Sequence, residues 1–542
     1  MTTQTQRRGA AFPVRRAAGA ALDQLGRWDD KVRSRWPFSA LVGPDLRADE
    51  VTGDGSKLLL RPALLGFVAI LAITIGVVQQ RSPFALKEPG AWFFGVPAPG
   101  ATPSTRGLFF GLVAVYGGLL LLMRVWYGLA RTLSQVPGVP VRKLVVVAAI
   151  WVLPLLVAPP LFSRDVYSYA AQGEMMSHHI SPYHYGPDVL GAGPYVSLVD
   201  PLWGTAPAPY GPLFLKVDGA ITSASMHHVL PDLVLLRLLA LVGVGLIAVS
   251  IPKLARSLGR DPSEAFALAV LNPVTMLHLV GGAHNDALMV GLLVAGITAA
   301  RVKRPVLGIV LCSLAAAVKA PAALGVLYIA WEWMGPGLPV RERIRPIVNA
   351  ALISGVVMGA LSLLTGLGWG WIGNLASPGT VRSWVAPATG VGMLLTDLAH
   401  LAHLGIPQHV VLSFTRVLGL ALAAGTGLWL LWRSERIGAL RALGVTLLLL
   451  VVLGPVVQPW YLSWGLVLLA PVATGRVRSL IISLSIASAF LGLPGGRQLV
   501  NDLLHANPLA VATALLVLLA ILTVPLTPSA RRKRLSGAAA VA

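Results

Sequence analysis

Asp165 closes an apolar run and opens a stretch, Leu161 to Gly173, in which Arg164, Tyr167, Tyr169 and Gln172 crowd a single carboxylate. An acid where a membrane helix gives way to water is costly to bury and well placed to take a proton, so it is read first as a functional group. The bland alternative is an exposed helix cap. Glu174 follows nine residues on, then His178, His179, Tyr183, His184 and Asp188, then Asp200, Trp203 and Tyr210. Tyrosine, glutamine and tryptophan beside carboxylates suit the binding of hydroxyl-rich ligands. A metal centre is the competing chemistry, but the histidines match neither an H-x-x-x-H nor an H-E-x-x-H spacing. Consecutive histidines also point to different sides of a helix. We therefore expect no metal and no cofactor, and histidines that bond sugar hydroxyls or water.

The elements that must position these groups are membrane helices. Of 542 residues, 55% are hydrophobic and only 12% are charged, where a soluble domain carries about 25%. Mean hydropathy is +0.73, and apolar runs of about 18 to 25 residues, long enough to cross a bilayer core, recur along most of the chain. The net charge of +21 is spread in short clusters between apolar runs. No folded basic domain carries it, which argues against a nucleic-acid partner. Cys312, the single cysteine, lies in an apolar run and is read as a packing residue.

About fourteen spans are expected between residues 62 and 526, including 143–161, 263–280, 285–300, 461–473 and 509–526. Alternate loops hold basic clusters, such as Arg301, Lys303 and Arg304, or Arg433, Arg436 and Arg441. The opposite loops hold most of the acids, including Asp165, Glu174 and Asp286. By the positive-inside rule both termini are cytoplasmic and the acids face outward. Residues 1–57 form a basic cytoplasmic arm, read equally as a grip on the anionic inner leaflet or as a plain tail, with no cleavable signal peptide; 528–542 form a tail. The transmembrane domain is then 58–527, with outer loops 162–231 and 367–408. Residues 389–405 are apolar but short, and are read as a re-entrant or interfacial helix, because a crossing there would invert every later loop. Arg124, Arg237, His278 and Arg416 fall near span ends, where snorkelling accounts for them.

The outer face gathers further groups: His284, Asn285 and Asp286, then Lys319, Arg382, and Gln458, Trp460, Tyr461 and Trp464. Together with Asp165 to Gly173, Pro182-Tyr183, Gly186-Pro187 and Tyr210 to Pro212, they resemble GT-C glycosyltransferases over about residues 140–500. Within that superfamily the resemblance is to actinobacterial polyprenol-phosphate-mannose-dependent α(1→6) mannosyltransferases. Ser181 stands where that family's Asn-Pro-Tyr triplet has asparagine.

The resemblance implies an all-α polytopic membrane protein, a GT-C-type bundle of about fourteen transmembrane helices with re-entrant or amphipathic helices in its outer loops. It implies a polyprenyl-phosphate-mannose donor, a lipid-linked mannoside acceptor and reaction on the outer face. A lipid-phosphate leaving group departs unprotonated, so one base suffices for an inverting displacement. Asp165 is that base in this reading, ionised at neutral pH because Arg164 opposes the effect of burial. Lys319, Arg382 and Arg164 would meet the donor phosphate, since outer-face cations are scarce. Tyr167, Tyr169, Gln172, Tyr183, Tyr210, His284, Asn285, Asp286, Gln458, Trp460 and Tyr461 would line the sugar and acceptor. A transporter or flippase of a lipid-linked sugar is the alternative. It would place charges at the membrane midplane and pair its broken helices between two halves.

Overall fold

In a computed structural model, residues 56–78, 92, 105–375, 379 and 381–491 are described. The basic arm, the tail and the 509–526 span lie outside them. The regular structure among the described residues is all helical, with no strand. Each apolar run expected between 62 and 493 falls on one helix or on consecutive helical segments. Four helices are long and apolar enough to cross a membrane singly: Leu58–Val78, Val229–Ser257, Val340–Leu364 and Gln408–Trp432. Pro305–Ala316, Ala320–Glu332, Ala439–Leu453 and Pro459–Val472 are apolar but shorter.

The run expected as one span at 263–280 is broken. Asp261 caps its start, accepting from the backbone amides of Ser263 (2.7 Å) and Glu264 (3.0 Å). The helix Pro262–Ala269 then bends by 52° into a π-helical stretch, Val274–Gly281. Asn272 sits at the break, where its side chain accepts from the Val274 amide and donates to Ser485 Oγ. The break aims the chain after Gly281 at the site instead of continuing along the helix axis.

Close approach is built from small residues. The helices Val229–Ser257 and Asp286–Arg301 meet at Gly243, Ala287 and Gly291, where a Cβ on either glycine would overlap the opposing backbone. Small residues at such crossings let dispersion act where no hydrophobic drive exists between helices in lipid. Val340–Leu364 and Gln408–Trp432 instead keep apolar side chains outside, Val356 and Phe414 among them, as helices facing hydrocarbon do.

Arg237 departs from the sequence expectation. Its side chain does not snorkel: it is 2% exposed. The guanidinium donates to the carbonyls of Leu155 (2.6 Å) and Ala158 (2.5 Å), which end the helix Val141–Val157, and to that of Gly281 (3.2 Å). Buried carbonyls at a helix end need partners, and one cation supplies them to two chain segments. His278 is likewise fully buried and not at a wet end.

Candidate active site

The helix Asp165–Ser177 begins at the acid, so Asp165, Ser168, Tyr169 and Gln172 share one face by the i, i+3, i+4, i+7 rule. That face looks into a narrow cleft also lined by Trp203, Tyr210, Gln458, Trp460 and Tyr461. Tyr167, two positions from the acid, is turned away and packs in the core, 1% exposed. Its expected place on the sugar surface is corrected by helical geometry alone. The cleft has about 40 Å³ of interior space, enough for one or two waters.

Asp165 Oδ2 lies 3.6 Å from His284 Nδ1, longer than a hydrogen bond. The same nitrogen is 3.5 Å from the Tyr169 hydroxyl. His284 stacks on Trp460, with ring centroids 3.9 Å apart and planes at 18°. Burial pushes its imidazole well below the ordinary value, with His278 and Lys319 acting in the same direction, so the ring is neutral. Burial raises the Asp165 carboxyl to about 6, against the lowering effects of Lys319 and Ser163. Arg164, expected to hold Asp165 down, instead donates twice to the Leu198 carbonyl, at 2.9 and 2.6 Å. The cation that opposes burial at Asp165 is therefore Lys319, in the role given to Arg164.

Asp286 is occupied differently. Lys319 Nζ donates to both of its oxygens, at 3.1 and 2.9 Å, and Trp464 Nε1 donates to Oδ1 at 2.6 Å. Neither Asn285 nor Asp286 acts as a side-chain cap for the helix Asp286–Arg301. Lys319 Nζ also lies 4.4 Å from the centre of the Tyr461 ring, a cation–π contact. With its charge matched by Asp286, Lys319 is not the free phosphate ligand the sequence reading made it. Arg382 is exposed and donates to Gln408 at 2.9 Å, next to Val381, which lines the cleft.

The glycine–proline signals in the sequence are packing devices. Gly211 lies where a Cβ would overlap the Ala317 carbonyl, and its amide donates to Val318 at 3.0 Å, tying Tyr210 to the Lys319 segment. Pro212 starts the next helix. Tyr183 lies away from the cleft and supports it: its hydroxyl donates to the Tyr210 carbonyl at 2.9 Å. Ser181 Oγ accepts from the Tyr183 amide at 3.3 Å, so the serine makes the local turn contact open to an asparagine.

Several buried polar atoms here have no protein partner: Ser168 Oγ, Gln172 Oε1, Asn285 Oδ1 and Nδ2, and Trp460 Nε1. Unpaired buried donors and acceptors are costly unless a ligand or water completes them. Ser168 and Trp464 were given no role from sequence; the helical spacing from Asp165 would have found the first, while only the fold brings Trp464 to Asp286. Among the described residues no three His, Cys, Asp or Glu side chains converge as a metal site requires.

Comparison with known proteins identifies the family. Residues 63–335 match the family model described as "Alpha-(1->6)-mannopyranosyltransferase, N-terminal domain", and 388–523 match "MptB C-terminal domain". Alpha-(1->6)-mannopyranosyltransferase A of Mycobacterium tuberculosis is 34% identical, over 77% of this chain and 81% of its own. A probable alpha-(1->6)-mannopyranosyltransferase of Mycolicibacterium smegmatis is 33% identical over 85% and 88%. Alpha-(1->6)-mannopyranosyltransferase B of Corynebacterium glutamicum is 30% identical over 80% and 77%. No solved structure matches the chain. Two domain models that follow one another along the chain, and relatives aligned over most of their length, make this chain a member of the actinobacterial α-(1→6)-mannopyranosyltransferase family and therefore a mannosyltransferase.

Proposed function

We propose that the protein moves mannose from a polyprenyl-phosphate donor to a lipid-linked mannoside, making an α(1→6) bond with inversion, with Asp165 as the general base. The observation that carries this reading is the difference between two nearby acids. Asp286 is saturated by Lys319 and Trp464, whereas Asp165 pairs with no described lysine or arginine and lines the cleft. In the proposed step, Asp165 takes the proton from the acceptor hydroxyl as its oxygen attacks the anomeric carbon. The bond to the lipid phosphate breaks, and the phosphate leaves as an anion. Neutral His284, held flat by Trp460, positions the carboxylate. Ser168, Gln172 and Trp460 Nε1 meet sugar hydroxyls. Arg164 and Arg382, at the edges of the cleft, receive the developing phosphate charge, and the Lys319–Asp286 pair supports the floor.

The loop charges support a reading in which this cleft faces the outer side of the plasma membrane, with about fourteen spans and both termini inside. The deciding experiment supplies membranes with labelled polyprenyl-phosphate-mannose or with GDP-mannose while synthesis of the lipid donor is blocked. Label entering an α(1→6) product from the lipid donor alone is the expected result. Direct use of GDP-mannose would overturn the lipid-donor reading.

A further inference from the structure

A second cavity, of about 780 Å³, lies far from the cleft. Asp286 is the first and Arg301 the last residue of a 16-residue helix, so the two sites are separated by about 24 Å of helix. Its depth is apolar, with Leu254, Ile297, Ile329 and Leu443 in the walls. Arg260, Arg301, Lys303 and Arg441 also line it. None of the four forms an ion pair with a described residue. Arg441 Nε is buried without a partner.

The acids in the same wall are already engaged. Glu332 accepts from Ser434 Oγ at 2.7 Å. Glu435 is held by the Arg343 guanidinium and by the Gly337 amide at 2.9 Å. What remains is unbalanced positive charge beside a mainly apolar, chain-sized hollow within the usual range of ligand pockets. A free anion would use the charge and leave the hollow empty; a neutral lipid would do the reverse.

We propose that this cavity holds one anionic phospholipid, its phosphate among Arg260, Arg301, Lys303 and Arg441 and an acyl chain along the apolar walls. Lys303 offers a clean test. Its backbone is left-handed, φ 62°, a conformation glycine adopts without strain. Lys303→Gly therefore removes the cation without stressing the turn. Purified full-length protein in neutral detergent would be titrated with phosphatidylglycerol, phosphatidylcholine and inorganic phosphate. Bound lipid would be counted by native mass spectrometry.

The expected result is one phosphatidylglycerol per chain, little phosphatidylcholine and no effect of phosphate. Lys303→Gly and Arg441→Gln should each weaken the lipid about tenfold, as loss of one charge-assisted contact implies. Equal binding of phosphatidylcholine, saturation by phosphate alone, or unchanged affinity in Lys303→Gly would each overturn the proposal. The last of these holds even if Arg441→Gln fails to fold.

Discussion

Asp286 and Lys319 neutralise each other inside the site, with the lysine nitrogen 2.9 Å from one carboxylate oxygen and 3.1 Å from the other. The acid is fully buried and the lysine nearly so, so neither can lose its partner cheaply. Asp286→Asn or Lys319→Met alone should destabilise the protein by about 3–5 kcal/mol. The double variant should lose clearly less than the sum. Thermal unfolding in detergent, analysed as a double-mutant cycle, checks this; additive losses would show that the pair is not coupled.

Asp165→Asn behaves differently, because no cation is left unpaired. The thermal midpoint should stay within a degree or two of the parent while turnover falls by about 10²- to 10⁴-fold, the usual cost of losing a general base. Near-parental turnover in this variant, with loss of turnover in an Asp286→Asn protein that still folds, would transfer the role to Asp286.

The pH profile follows from the same carboxyl. Its ordinary value is 3.8 and burial raises it to about 6. Below that pH the base is protonated and idle; above it the base is ionised. We expect kcat/KM to rise with pH through about 6 and then level off. Lys319 lowers this value, so a folded Lys319→Met variant should move the acid limb to higher pH. An acid limb near 4 would mean that Asp165 is better solvated than its surroundings indicate.

Gly211→Ala tests how the cleft is assembled. The new methyl would collide with the Ala317 carbonyl and push Tyr210 away from Lys319. Turnover should fall at least tenfold. Asp165→Asn should leave donor binding intact, but this variant should weaken it as well. Single-turnover and binding measurements separate the two effects.

Orientation is checked with introduced cysteines, against a low background because Cys312 is buried. Ala192 and Arg436 are both exposed. In sealed cells an impermeant thiol reagent should label Ala192→Cys and spare Arg436→Cys. The opposite pattern would put the cleft inside. Ser434, in the same loop, would be a poor probe because it is buried against Glu332.

Much of the site was legible because its residues are of types that membrane interiors avoid. Asp165 and His284 stand out on that ground, Tyr210 and Trp460 only through the loops they share with such groups, and the structure brings all four to one place. Tyr167 was legible too, had the helical period been applied to the motif. The Asp286–Lys319 pair was not, since 33 residues and two helix breaks separate its members. Arg237 was hidden for a different reason. A basic residue near a span end looks the same in sequence whether it reaches for water or for carbonyls.

Arg237 has a consequence for anyone mapping this protein by alanine scanning. One guanidinium holds the end of the helix before Asp165 and the Gly281 carbonyl, three residues before His284. It therefore acts as a jig: it sets the gap between carboxylate and imidazole without lining the cleft they face. A scan scored by activity alone would flag it beside Asp165 and invite a chemical role. The two separate on the acid side of the rate profile, which a misaligned but intact carboxylate retains and a deleted one does not.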